Sequence, residues 1–195
     1  FQCMFEDVLA AVTMARGLDG IVVVTRDGVA AGIAEEYGAR ILREDHNRGQ
    51  SAAVGHAADV LAGEGVTGIL TLPGDVPLVM ASEIEAVLDA HEGADGAASA
   101  VSIVPARDGR GSNCVALTPP GVIPFRFGHD SFLPHLDEAR RRAITVSVLE
   151  LPGLGLDIDT PDDLRELLAR PGAGAVRAYL ETSGIAARLG TWQAT

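Results

Sequence analysis

The sequence contains no lysine: all fifteen of its basic side chains are arginines. A GC-rich genome is the simplest cause of that bias. It also means that any phosphate contact made elsewhere by an ammonium group must here come from arginine, from a metal ion, or from residues outside this sequence. Positive charge is scarce altogether, with 15 arginines against 27 acidic residues and a formal net charge of −12. A nucleic-acid surface rests on a basic patch that neutralises phosphates, so no nucleic-acid partner is expected. Cysteine is nearly absent too. Cys3 and Cys114 lie far apart, form neither a CxxC pair nor a disulfide framework, and are read as structural residues of a reducing compartment. No apolar run approaches the roughly 20 residues of a membrane helix, and no charged-then-apolar leader opens the chain. The expected protein is cytoplasmic, with no membrane contact.

What is present suits one α/β domain: 195 residues, of which 47% are hydrophobic and 22% charged. "MFEDVLAAVTMARGL" has apolar residues at Phe5, Val8, Leu9, Val12 and Ala15, the spacing of a helix that buries one face. "GIVVVTR" is a short β-branched run expected to be a fully covered parallel strand. A helix ending at Gly38, a strand "ARILRE", a small-residue helix over 51–62 and a strand "TGILTLPGD" follow. Strand and helix thus alternate, which predicts a mostly parallel, Rossmann-like sheet with flanking helices. Further on, Ser82 with Glu85 matches a capping box, "GAASAVSIVPA" and "GRGSNCVALTPPG" contain strands, and a basic-ended helix begins near Ser131. "AITVSVLEL" is a strand, "GLGLDIDT" a strand end, and Thr160 with Pro161 starts a helix whose first turn holds Asp162 and Asp163 as capping charges. A nucleotide-binding sheet normally opens with a strand and a glycine-rich turn, and this sequence opens on a helix. The expected organisation is a domain over 1–170 lacking that first strand and loop, then a helical tail over 171–195.

Two apolar runs stop on aspartate with proline close behind, "LTLPGDVPL" at Asp75 and "GLGLDIDTPDDL" at Asp157 and Asp159. In parallel sheets ligands bind beyond the carboxyl ends of strands. Residues two apart in a strand share a face, so Asp157 and Asp159 can meet one ligand while Ile158 packs inward. Magnesium prefers oxygen ligands and takes only one or two carboxylates, completing its shell with water and phosphate. Asp75, Asp157 and Asp159 are therefore candidate catalytic and Mg²⁺-binding residues.

"GRGSN" and "RFGHDSF" combine glycines, hydroxyls and a helix start, an arrangement suited to an anion. Gly111, Ser112, Gly128 and Ser131 are the phosphate-binding candidates, with Arg126 beside them; His129 and His135 read as polar loop and helix residues. In "EDHNRGQSAAV", Gly49 can approach a phosphate or base closely, and Gln50 and Ser51 can read a purine edge.

Taken together, "LPGDVPL", the "GSN" loop, "RFGHDSF" and above all "GLGLDIDTPDDL" resemble the 2-phospho-L-lactate or phosphoenolpyruvate guanylyltransferases of coenzyme F-420 biosynthesis, over about Phe5 to Leu168. That family is related to the molybdenum-cofactor nucleotidyltransferases and to sugar-nucleotide enzymes. The resemblance implies a GT-A-like, nucleotide-diphospho-sugar-transferase fold. It also implies transfer of GMP from GTP to a phosphorylated three-carbon acid (2-phospho-L-lactate, phosphoenolpyruvate or 3-phosphoglycerate) with release of pyrophosphate. By motif match, Asp75, Asp157 and Asp159 would hold Mg²⁺. Gly111, Ser112, Gly128 and Ser131 would contact the acid's phosphate, and Gly49, Gln50, Ser51, Pro73 and Gly74 the nucleotide. The family's "GLN" stands here as Gly49, Gln50 and Ser51, and its "KxxxxxKSRL"-like opening segment has no match. A homodimer is expected by analogy with the family alone. A molybdenum-cofactor guanylyl- or cytidylyltransferase and a nucleotide-binding module without activity remain as alternatives.

Overall fold

Helix α1 (Gln2–Met14) turns Phe5, Val8 and Leu9 inward, as the spacing predicts. Strand β1 (Val22–Val24) follows, and then helix α2 (Gly28–Glu36), whose Asp27 cap accepts from the backbone N–H groups of Val29 and Ala30. Strand β2 (Arg40–Leu42) pairs in parallel with β1. Next come α3 (Gln50–Gly63), β3 (Ile69–Thr71), α4 (Ala81–Glu92), β4 (Ala100–Pro105), β5 (Ser112–Thr118), α5 (Phe132–Arg141), β6 (Val146–Val148), α6 (Pro161–Ala169), α7 (Ala175–Thr182) and α8 (Ile185–Thr191). This computed structural model describes residues 1–43, 48–92, 98–172 and 174–191, without the side chain of Thr191. The stretch "EDHN" of the third candidate loop and the extreme end of the expected tail lie outside the described residues.

The larger sheet runs β3-β5-β4-β6. β5 is antiparallel to both its neighbours and β6 is parallel to β4, so β3, β4 and β6 share one direction and β5 alone is reversed. Its reversal follows from the short connection 106–111, too brief for the crossover that a parallel neighbour requires. The result is the mostly parallel α/β arrangement expected from the sequence.

Side chains alternate across β4 and β5. Val104, Cys114 and Ala116 pack with Val8, Ile84 and Val87 of α1 and α4. Val101, Ile103, Val115 and Leu117 pack on the other face with Ala58, Leu136 and Ala139 of α3 and α5. The sheet is thus sandwiched between helices, as an apolar two-faced sheet requires.

Two corrections concern the elements. The β-branched β1 is parallel to its partner, yet Val22, Val23 and Val24 are each only half-buried, and among the described residues β1 pairs with β2 alone. The capping box expected at Ser82 is not formed. α4 begins at Ala81, two residues before the start that such a box implies, and Glu85 instead binds the Arg16 backbone N–H and guanidinium at 2.9–3.0 Å. The N-cap expected at Thr160 is present, and the structure extends it to a capping box in which Asp163 is the reciprocal partner.

The topology fixes where a site can lie. β3, β4 and β6 end, and the reversed β5 begins, at the same edge of the sheet. Asp75, Ser112 with Asn113, and the segment 149–159 are all delivered there.

Candidate functional site

The strand expected over "GLGLDIDT" does not form; residues 153–159 are irregular. Their backbone groups are committed elsewhere. Gly153 and Leu154 N–H donate to the buried Glu83 carboxylate at 2.7 and 3.2 Å, and the Leu154 carbonyl accepts from Asn113 Nδ2 at 2.9 Å. The Gly155 carbonyl accepts from Arg107 N, and Ile158 N donates to the Asp75 carbonyl at 2.9 Å. That last bond ties the two aspartate segments directly together. Asn113 Nδ2 also donates to Asp157 Oδ1 at 3.2 Å, and Asp159 N–H donates to Asp163 Oδ2. Ile158 is half-buried against Leu167, Val176 and Leu180.

Asp75 carries the strongest sign of an unmet requirement: its Oδ1 is buried and has no hydrogen-bond partner. Burial first, and then the charges of Asp159 and Asp157, push its carboxyl above the usual range. All three carboxylates therefore act on one region. Among the described residues no group of three or more His, Cys, Asp or Glu side chains is placed to hold a metal ion by itself. An all-oxygen edge with one orphaned carboxylate atom instead matches a cation that keeps most of its shell for water and ligand phosphate.

The loops 110–112 and 126–131 meet beside this edge. Phe132 N donates to the Arg110 carbonyl at 2.8 Å, and Ser112 N donates to Ser131 Oγ at 2.8 Å. Ser131 occupies the N-cap position of α5, but its hydroxyl accepts from Ser112 rather than capping the helix. Gly128 has φ +147° and Gly49 φ +84°, backbone angles that favour glycine. The register of β4 against β5 slips between Val104↔Cys114 and Pro105↔Ser112, a bulge that leaves Asn113 unpaired. The bulge lets adjacent residues serve two directions, Asn113 toward 154–157 and Ser112 toward α5. Gly111 lies under Ala106. Arg126 is held by Glu138 at 3.2 Å, and Arg110 by Asp130 at 2.6 Å.

Ser51 Oγ donates to the Phe127 carbonyl at 3.3 Å, which joins the start of α3, with its Gly49 cap, to the second loop. Pro73 and Gly74 precede Asp75, where a Cβ on Gly74 would meet Phe5 Cδ2 at 3.1 Å. Hydrogen bonds thus link the candidates from Ser51 through loop 126–131 and Ser112–Asn113 to Asp157, whose neighbour Ile158 reaches Asp75.

Sequence reasoning missed three contributors. Asn113 and Glu83 are buried polar residues bonded to the 153–157 segment, contacts that leave no local mark in the sequence. His135, read as a polar helix residue, is completely buried. His129 is exposed beside Asp130. Cys114 is buried in the core, which pushes its thiol up and suits the structural role expected for it.

The family described as Guanylyl transferase CofC like matches residues 1–191. A phosphoenolpyruvate guanylyltransferase of Conexibacter woesei is 37% identical over 92% of this chain and 81% of its own length. A 2-phospho-L-lactate guanylyltransferase of Methanothermobacter thermautotrophicus is 35% identical over 92% and 76%. A 3-phospho-D-glycerate guanylyltransferase of Colwellia psychrerythraea is 39% identical over 76% and 68%. Among solved structures, a protein of Desulfovibrio desulfuricans assigned as a nucleotide-diphospho-sugar transferase superposes with a TM-score of 0.65 at 18% identity, over 86% of this chain and 72% of that one. A cytidylyltransferase of Leptospira borgpetersenii gives 0.61 at 14% identity, over 98% and 87%. These two resemblances speak to the fold.

Proposed function

The chain belongs to the CofC-like guanylyl transferase family, and from that premise we propose that it transfers GMP from GTP to a phosphorylated three-carbon acid, releasing pyrophosphate, as a step of coenzyme F-420 biosynthesis. The observation that carries this reading is the buried, unpartnered Oδ1 of Asp75, set among the charges of Asp159 and Asp157 at the edge where the hydroxyl-bearing loops meet. Mg²⁺ on Asp75, Asp157 and Asp159 would neutralise the charge that develops on the phosphates.

The chain's own residues do the rest. Ser112 and Ser131, with the backbone at Gly111 and Gly128, hold the acid's phosphate in line with the α-phosphate of GTP. Pro73, Gly74 and the start of α3 at Gly49, Gln50 and Ser51 hold the nucleotide. The attacking group is a phosphate oxygen, anionic at neutral pH, so the reaction needs no general base. Positioning and electrostatics then carry the rate. The relatives are named for three different acids, which differ by small groups that loop geometry would read.

The test is pyrophosphate release from GTP and Mg²⁺ with phosphoenolpyruvate, 2-phospho-L-lactate and 3-phosphoglycerate in turn. One acid is expected to turn over, and Asp75→Ala to lower the rate by on the order of a hundredfold or more. Silence with all three acids, or an unimpaired variant, overturns the proposal.

A further inference from the structure

His135 is fully buried, and it touches both phosphate-side loops at once. Its Nε2 lies 2.8 Å from the Arg126 backbone nitrogen, and its Nδ1 lies 3.0 Å from Ser112 Oγ. Phe125 and Phe127 present their rings to it edge-on, with centroids 6.5 and 5.2 Å away. A backbone N–H can only donate, so Nε2 carries its lone pair and the neutral ring bears its proton on Nδ1. Burial, the main cause, lowers the imidazolium pKa to about 4, which keeps the ring neutral.

The consequence reaches two residues further. The ring N–H, which also meets the Ser131 backbone, donates to Ser112 Oγ, and Ser112 N–H donates to Ser131 Oγ. Each hydroxyl oxygen is thereby used as an acceptor. Each hydroxyl proton has no recipient among the described residues, although both serines are buried. A buried donor without an acceptor is costly unless a ligand supplies one. Two adjacent hydroxyl protons in that condition call for an anionic oxygen.

We infer that His135 is a positioning residue for the acid: by donating from Nδ1 it fixes Ser112 and Ser131 as a pair of hydroxyl donors aimed at the acid's anionic group. This rests on the guanylyl-transfer reading for the identity of the ligand, but not for the tautomer.

Two substitutions separate the contacts of the ring. In His135→Gln the side-chain oxygen can replace Nε2 as acceptor for Arg126 N–H, and the donor to Ser112 is lost. In His135→Asn the amide nitrogen can replace Nδ1 and the acceptor is lost. His135→Gln should raise KM for the acid about tenfold, the factor given by about 1.4 kcal/mol, with KM for GTP unchanged. His135→Asn should keep KM for the acid near that of the wild type. Equal effects of the two variants on KM for the acid, or parallel changes in KM for acid and GTP, would mean a merely structural role and overturn the inference.

Long-range ¹H–¹⁵N spectra of the wild type at neutral pH provide a readout independent of turnover and of variant folding. A proton fixed on Nδ1 is expected, while a proton on Nε2 overturns the inference. Wild-type protein silent with every acid would sink the functional proposal and leave the tautomer to decide this one.

Discussion

Asp75 sits where function and stability oppose each other. Its buried Oδ1 has no partner, and its carboxyl is pushed up by burial and by Asp159 and Asp157. A carboxylate whose folded pKa is raised stabilises the fold at low pH, and that contribution is lost as pH rises through the folded value. At neutral pH the charged side chain is therefore a liability that a cation relieves. Asp75→Asn should raise the melting temperature of the metal-free protein, by about 2–4 °C for each kcal/mol relieved in a chain of this size. Added Mg²⁺ should raise the wild-type Tm and leave that of the variant unmoved. Thermal scans with and without Mg²⁺ check both, and a wild type indifferent to Mg²⁺ would contradict the proposed metal role. His135 behaves in the opposite sense. Its pKa drops from the ordinary 6.5 to about 4, so its neutral-ring contribution is complete above pH 6.5 and is lost as pH falls toward 4. The loss amounts to about 3 kcal/mol at about 1.4 kcal/mol per unit. His91 is lowered too and persists in a variant, so the test is a difference. Denaturation from pH 7 to 4 should show wild type losing stability relative to His135→Gln over that window.

At the level of elements, the segment 153–159 is shaped by what surrounds it. Glu83 accepts from the N–H groups of Met80, Gly153 and Leu154, and a Cβ on Gly153 would run into Leu78 O and Glu83 Oε2. Gly153→Ala should therefore cost about 1–3 kcal/mol through overpacking. Glu83→Ala should cost a similar amount by stranding buried N–H groups. Both should also depress turnover, because this segment carries Asp157 and Asp159. Urea titrations beside pyrophosphate assays check the pairing; loss of stability with intact turnover would mean that the clamp does not position the aspartates. The sequence could not reveal this clamp. Periodicity reported apolar Leu154 and Leu156 as a strand, since a run buried by irregular contacts reads the same as one buried in a ladder. The Ser82/Glu85 box failed for a related reason: Arg16, 69 positions away, claims Glu85, and local patterns cannot see distant partners. Where the cause is local, as in the Thr160 cap or the inward face of α1, the reading and the structure agree.

For the whole molecule, the lesson is that one sheet edge gathers candidates scattered from Gly49 to Asp159. The aspartates and the glycine-serine loops were legible because strand ends and loop chemistry leave local marks. The buried linkers Asn113 and His135 were not, because their meaning lies in contacts made only after the sheet forms. The same holds for chain closure. Asp7 on α1 caps α7, accepting from Ala175 N at 2.7 Å and Val176 N at 2.9 Å. α1 at the same time sends Phe5 and Leu9 to the β1–β2 layer and Val8 to the main sheet. Cys3 and Met4 of α1 pack beside Leu167, Val176 and Leu180, the cluster that also holds Ile158 between the aspartates. Losing this cap should be felt beyond the tail. Asp7→Ala is expected to cost about 0.5–2 kcal/mol, the range for a lost capping side chain. If α7 is part of the cooperative unit, hydrogen exchange in the variant will quicken together in α7, α1 and the 154–159 segment, and calorimetry will show one transition at lower temperature. Faster exchange confined to 175–191, with an unchanged main transition, would instead make the C-terminal helices an independent appendage and remove them from any part in holding Asp157 and Asp159.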